Sequence, residues 1–255
     1  VRNDPNVQGI LYAGLETGVW YSLNDGAFWQ PLQLNLPLAP VTDIRIEPKE
    51  RDIVIATHGR SFWILDDITP LYDLAKNGDA IQKSNAYLYP VNTGYRTPGP
   101  SYYAEEASDQ TGENEAVGVK FRYYLKQKSE KELRLAFYES DGDLIITYSN
   151  LYDKKRTPIT IKDEFYPNPK VTESGKLNAF PGSHQFVWDM RYPDATGDTS
   201  ATFEASLMGP LAVPGNYMVR MYIGDSLVGQ QTFVIERDPR NPATVADLQA
   251  QFDMN

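Results

Sequence analysis

Apolar positions along this chain fall mostly in short runs that alternate with polar ones, the period of two that marks a strand with one buried face. Val41–Glu47 (VTDIRIE), Val119–Leu125 (VKFRYYL) and Leu133–Glu139 (LRLAFYE) read this way, and Pro214-Gly215-Asn216 initiates a further strand over Tyr217–Ile223 (YMVRMYI). Ile53–Thr57 (IVIAT) is an unbroken apolar run of strand length, as expected of an inner strand covered on both sides. Ile10–Leu15, Val19–Ser22, Ser61–Leu65, Ala86–Tyr89, Leu144–Ser149, Gly182–Met190 and Leu227–Glu236 add further strands between Gly, Asp, Asn and Pro turns. Helical spacing is confined to two places. Leu71–Gln82 carries one or two turns ending near Asn77-Gly78, and Thr244–Phe252 starts a helix behind an N-cap threonine. The pattern predicts an all-β chain with a short helical tail.

Turn chemistry is most specific between Ile10 and Trp29. Ser22-Leu23-Asn24-Asp25-Gly26-Ala27-Phe28-Trp29 has the Ser-x-Asp-x-Gly-x-x-Trp form of an Asp-box, with Asn24 in the usual Asp place. Asn-Asp-Gly still supplies a side-chain oxygen to the backbone and a residue tolerant of positive φ. Ser22, Asn24, Gly26 and Trp29 are therefore structural, with Trp29 capping the hairpin. The Pro-punctuated QPLQLNLPLAP that follows reads as a crossover loop. The pattern then recurs: Ile10-Leu-Tyr-Ala-Gly-Leu and Val19-Trp20-Tyr21 align with Ile53-Val-Ile-Ala-Thr-His and Phe62-Trp63-Ile64. Two copies at a period of about forty residues are a signature of propeller blades.

Residues 1 to about 70 resemble the last part of a sortilin-type β-propeller with bacterial-neuraminidase (BNR) repeats. Asp52–Pro70 (DIVIATHGRSFWILDDITP) is similar to the closing blade of secreted bacterial members of that group. The resemblance implies a partial propeller of under two blades, with Ile10–Trp29 in one blade and Val41–Asp67 in the next. Such a slice needs the remainder of the propeller, from upstream in the same protein or from another chain. The Asp-box turn then lies between the third and fourth strands of a blade, away from the ligand face. His58 and Arg60 lie in a loop on that face. A secreted, periplasmic or cell-surface location follows from the likeness alone.

Behind this part, 71–95 reads as a linker, 96–238 as an immunoglobulin-like β-sandwich and 239–255 as a tail that begins a helix. Phe186–Ala195 (FVWDMRYPDA) and Pro214–Leu227 (PGNYMVRMYIGDSL) resemble the Ig-like modules that follow such propellers, here without a cysteine pair. Ser101–Glu115 is polar and acidic, a loop by composition.

The formal net charge is -10, so a nucleic-acid partner is not expected. The absence of cysteine excludes disulfides, thiolate metal sites and cysteine nucleophiles. No apolar run is long enough for a spanning helix, so the chain is read as not membrane-spanning. No phosphate loop, Gly-x-Ser-x-Gly or His-Glu-x-x-His occurs, and no organic cofactor is called for.

A rigid loop presenting His58 and Arg60 suits a carboxylate or sulfated sugar; the plain structural alternative pairs Arg60 with Asp66 or with an acid of a neighbouring blade. Calcium is a minor option at Glu139-Ser-Asp141-Gly-Asp143 or Asp189…Asp194…Asp198, neither of which has the twelve-residue loop spacing. His184 lacks a second ligand nearby and reads as structural. Trp188, Tyr192, Tyr217 and Tyr222 sit on alternating strands and read as core rather than as a sugar platform. No catalytic set or metal site can be assembled. The expected function is a non-catalytic binding or assembly portion of a secreted or surface protein, recognising protein, peptide or glycan. The alternative is the C-terminal part of a sialidase-like glycoside hydrolase whose catalytic residues lie upstream.

Overall fold

The computed structural model describes residues 1–97, 116–151, 176–194 and 209–254. Strands dominate, with two helices among the described residues. The chain divides into two compact units, residues 1–84 and 85–255. The division falls within the interval read as a linker, which itself carries most of a helix and two short strands. The acidic loop 101–115 and Asp198 lie outside the described residues.

In the first unit, β1 (Arg2–Asn3), β2 (Leu11–Leu15), β3 (Gly18–Ser22) and β4 (Gln30–Pro31) form one antiparallel sheet in chain order. The start of the segment read as a crossover loop is therefore a short edge strand. Pro31 sits opposite Trp20 at that edge, where a missing N–H is tolerated. β5 (Val41–Glu47), β6 (Asp52–Thr57) and β7 (Phe62–Leu65) form a second antiparallel sheet. α1 (Thr69–Lys83) follows, with Pro70 in its first turn. It is longer than the one or two turns expected. Asn77 donates to Asp73 Oδ1 at 2.7 Å along the helix instead of ending it, and the helix stops at Ser84, whose N–H reaches Ala80 and Ile81 carbonyls.

The two sheets share one apolar interior. A Cβ placed on Gly14 would lie 2.5 Å from Val41 Cγ1 and 3.5 Å from Ile44 Cδ1, so this face of β2 meets β5 at close range. Tyr12, Val19 and Tyr21 share that face by register, and Ile44, Ile53, Ile55 and Trp63 share the facing side of the second sheet. Ile68, Leu71, Tyr72 and Ala75 complete the cluster.

The ladders also correct the repeat. Ala13 pairs with Trp20 and Ile55 with Trp63, so Leu11, not Ile10, is the counterpart of Ile53. The first hairpin closes on the Leu15–Gly18 pair around residues 16–17. The second closes by Thr57 N–H to Ser61 O around the longer loop 58–60, with Gly59 at φ 75° and Ser61 at φ 62°. One extra loop residue shifts every facing by one place.

The second unit has β8 (Ala86–Leu88), β9 (Gly94–Arg96), β10 (Val119–Leu125), β11 (Leu133–Glu139), β12 (Leu144–Ser149), β13 (Gly182–Trp188), β14 (Gly215–Ile223) and β15 (Ser226–Arg237). These make sheets β13-β10-β8 and β12-β11-β14-β15-β9. All pairs are antiparallel except β9 with β15. Alternate residues of β10 and β11 enter the shared core, where Phe137 stacks on Trp188 at 4.8 Å and Phe121 meets Phe137 at 4.8 Å and Phe233 at 5.0 Å. α2 (Val245–Asp253) carries the expected N-cap: Thr244 and Asp247 bond reciprocally in a capping box.

Candidate functional site

The Asp-box positions come together as a turn between β3 and β4. The Ser22 hydroxyl accepts from Asn24 N–H at 3.3 Å and Gly26 N–H at 3.0 Å, and donates to Asn24 Oδ1 at 3.0 Å. Asn24 Oδ1 also accepts from Phe28 N–H at 2.9 Å. Asparagine thus performs the acceptor role without charge. Asp25 and Gly26 take φ of 58° and 85°, and a Cβ on Gly26 would sit 3.7 Å from the Trp29 ring nitrogen. Ser22 is buried, Trp29 partly so. These residues bind one another.

His58 and Arg60 occupy the exposed loop between β6 and β7. The loop is held by its backbone: His58 N–H reaches Pro40 O at 2.8 Å, and Trp63 Nε1 donates to Arg60 O at 2.8 Å. Thr57 Oγ1 donates to Ser61 O at 2.7 Å. Arg60 is exposed and forms no ion pair among the described residues. The guanidinium is held out to solvent by a loop that does not depend on it.

The other candidates are engaged elsewhere. Glu139 Oε1 accepts from Tyr192 at 2.6 Å, Asp141 Oδ1 from Asp143 N–H at 3.1 Å, and Asp194 Oδ1 from Gly209 N–H at 3.0 Å. Among the described residues no three His, Cys, Asp or Glu side chains gather as a metal set. His184 Nε2 bonds the Phe180 carbonyl at 2.7 Å. An open cavity of about 420 Å³ lies beside Asn3, Asn6, Gln8 and Asp25, with Asp4 in its wall. The Asp4 carboxylate already accepts from Tyr12 at 3.0 Å and from Asn6 and Val7 N–H at 2.8 and 3.0 Å. Burial, then the Asp4 charge, pushes the Tyr12 phenol far up, and burial first also raises Tyr72 to about 12.

Of the four aromatic residues read as core, Trp188 and Tyr217 are buried, and burial raises Tyr217 to about 12. Tyr192 is partly buried and meets Phe252 at 4.8 Å. Tyr222 departs from the expectation: it lies on the outer face of the five-stranded sheet with Arg134, Tyr138 and Arg220. That cluster is invisible in linear order because about eighty residues separate its halves. Its only signal is that Arg and Tyr both occupy the outward parity of β11 and β14. No helix among the described residues is long and apolar enough to cross a membrane.

Comparison with protein-family models and with curated proteins finds no match for this chain.

Proposed function

We infer that residues 1–84 are a slice of a propeller-type ring, followed by an Ig-like sandwich, and that the chain is a non-catalytic binding or assembly portion of a secreted or surface protein. One observation carries the reading. By hairpin register, Tyr12, Gly14, Val19 and Tyr21 of the first sheet correspond to Val54, Ala56, Phe62 and Ile64 of the second. The first set faces the shared interior; the second set faces outward. Val19 is fully buried, whereas its counterpart Phe62 is 76% exposed and Ile64 is 61% exposed. Conversely, inward Ile55 and Trp63 correspond to outward Ala13 and Trp20. The sheets therefore stack head to tail, and each end of the pair repeats the face that its neighbour covers. A head-to-tail relation that closes on itself makes a ring. The Asp-box turn at the third-to-fourth-strand position agrees with that architecture.

In this reading the backbone-held loop presents His58 and Arg60 to protein, peptide or glycan. The test is binding of sulfated glycans and acidic peptides by the full chain, beside a turnover assay with sialosides. Arg60→Ala is expected to abolish binding and leave the melting temperature unchanged, with no sialoside cleaved by either protein. A melting temperature lowered by several degrees, or turnover by the wild-type chain, overturns the assignment.

A further inference from the structure

The outer face of the five-stranded sheet carries a second concentration of chemistry, independent of the ring. Arg134, Ala136 and Tyr138 on β11 stand opposite Tyr222, Arg220 and Met218 on β14, all on the side away from the apolar core. The Arg220 guanidinium lies 4.6 Å from the Tyr138 ring centroid, and that of Arg134 lies 5.4 Å from Tyr222. Ala136 is buried beneath them, so the four long side chains lie down on the sheet as one layer.

The charge of this layer is incompletely answered. Arg134 donates to Gly224 O at 2.8 Å and has Glu132 and Asp225 carboxylates at 3.9 Å. Arg220 has no carboxylate partner among the described residues; its guanidinium bonds the Tyr138 and Tyr222 phenols, and its Nε alone is buried without an acceptor. In a chain of net charge -10, an arginine stacked on a ring and answered by two phenols but by no carboxylate keeps a positive charge that an anion can neutralise. Around it, Thr147, Gln230 and Thr232 are exposed at positions that register with Ala136, Arg220 and Met218 on the neighbouring strands.

We propose that this face binds an acidic polysaccharide of the uronate class, its carboxylates taken by Arg220 and Arg134 and its hydroxyls by Thr147, Gln230, Thr232 and the two phenols. A planar guanidinium fork matches a planar carboxylate. A peptide is the poorer fit, because peptides add to sheet edges through free backbone groups, whereas β11 and β14 are interior strands with both neighbours paired. Neutral hydrogen-bonding side chains flanking the arginines suit a hydroxyl-rich chain.

The test uses the full chain and polygalacturonate oligosaccharides, with dextran as the neutral control and dextran sulfate as the general polyanion. Wild type is expected to bind polygalacturonate, with dextran silent and dextran sulfate at least tenfold weaker. Arg220→Gln should weaken binding at least tenfold and Arg220→Lys less. Thr232→Glu, an exposed change that leaves the layer in place, should also weaken it by placing a like charge on the face. Unchanged near-ultraviolet dichroism identifies variants that remain folded. Failure of wild type to bind, equal binding by Arg220→Gln and Thr232→Glu, or dextran sulfate binding as tightly as polygalacturonate overturns the proposal. Every comparison, the wild-type face included, is made in an Arg60→Ala background, so that glycan held at the 58–60 loop does not enter any of these outcomes.

Discussion

Ser22 and Asn24 show how one buried hydroxyl and one amide oxygen hold a turn of eight residues. Ser22→Ala leaves the Asn24 and Gly26 N–H groups without their acceptor, one of them at 3.0 Å, in a place water reaches poorly. The expected loss is about 1–3 kcal/mol of unfolding free energy, measured by urea denaturation. Asn24→Asp keeps the oxygen that Ser22 and Phe28 use, so it should change stability by less than about 0.5 kcal/mol. A carboxylate in the second unit adds a dependence on pH. Hydrogen bonds from the Arg240 side chain and backbone hold Asp238 below the ordinary carboxylate range. An acid with a lowered folded-state value stabilises above about pH 4, and the effect fades as pH falls through the folded value. Asp238→Asn should therefore be less stable than wild type at neutral pH, with the gap narrowing as the acid limb is descended. A constant gap across the titration would contradict that linkage.

Among the elements, α1 offers a clean test of helix propensity. Gly78 lies inside the helix, and a Cβ there would meet nothing within 4 Å. Gly78→Ala should stabilise the first unit by about 0.5–1 kcal/mol, read as a higher midpoint in denaturant. No gain would mean that the helix past Asn77 forms only part of the time. That Asn-Gly pair is also why the sequence underestimates α1, since the same dipeptide ends helices elsewhere. Strands with one buried face were legible to the residue: β5, β10 and β11 have the bounds that their alternation predicts. β1, β4 and β9 were not, because two or three residues carry no period. The one-place slip in the repeat has a similar origin. Loops of two and three residues look alike in sequence, and only the ladder shows which residue is extra. The His58–Arg60 loop was legible because it is local; the Arg–Tyr layer was not, because strand pairing makes it.

At the scale of the whole molecule, each unit has a core of its own. Every residue of the first cluster lies before Ser84 and every residue of the second after it. What distinguishes the first unit is the apolar residues on the outward sides of its sheets, with Val54, Ala56, Phe62 and Ile64 beside the charged Asp43 and Arg45 on one and Leu11, buried Ala13 and Trp20 on the other. If these faces are counterparts of the covered pair, one chain can cover another in the same head-to-tail sense. Such a contact is not self-complementary, so it propagates; a twofold face-to-face contact would stop at the dimer. Sedimentation velocity at rising concentration should therefore show species beyond a dimer for the wild-type chain. Phe62→Asp should return it to monomer, because a charge would have to be buried where an apolar ring belongs. The monomer itself should melt as before, since Phe62 is 76% exposed and lies outside the core cluster. A wild-type chain that stays monomeric at high concentration, or stops at a dimer, removes the support for head-to-tail stacking. A Phe62→Asp variant that unfolds would instead assign that ring to the fold of the unit rather than to a contact between chains.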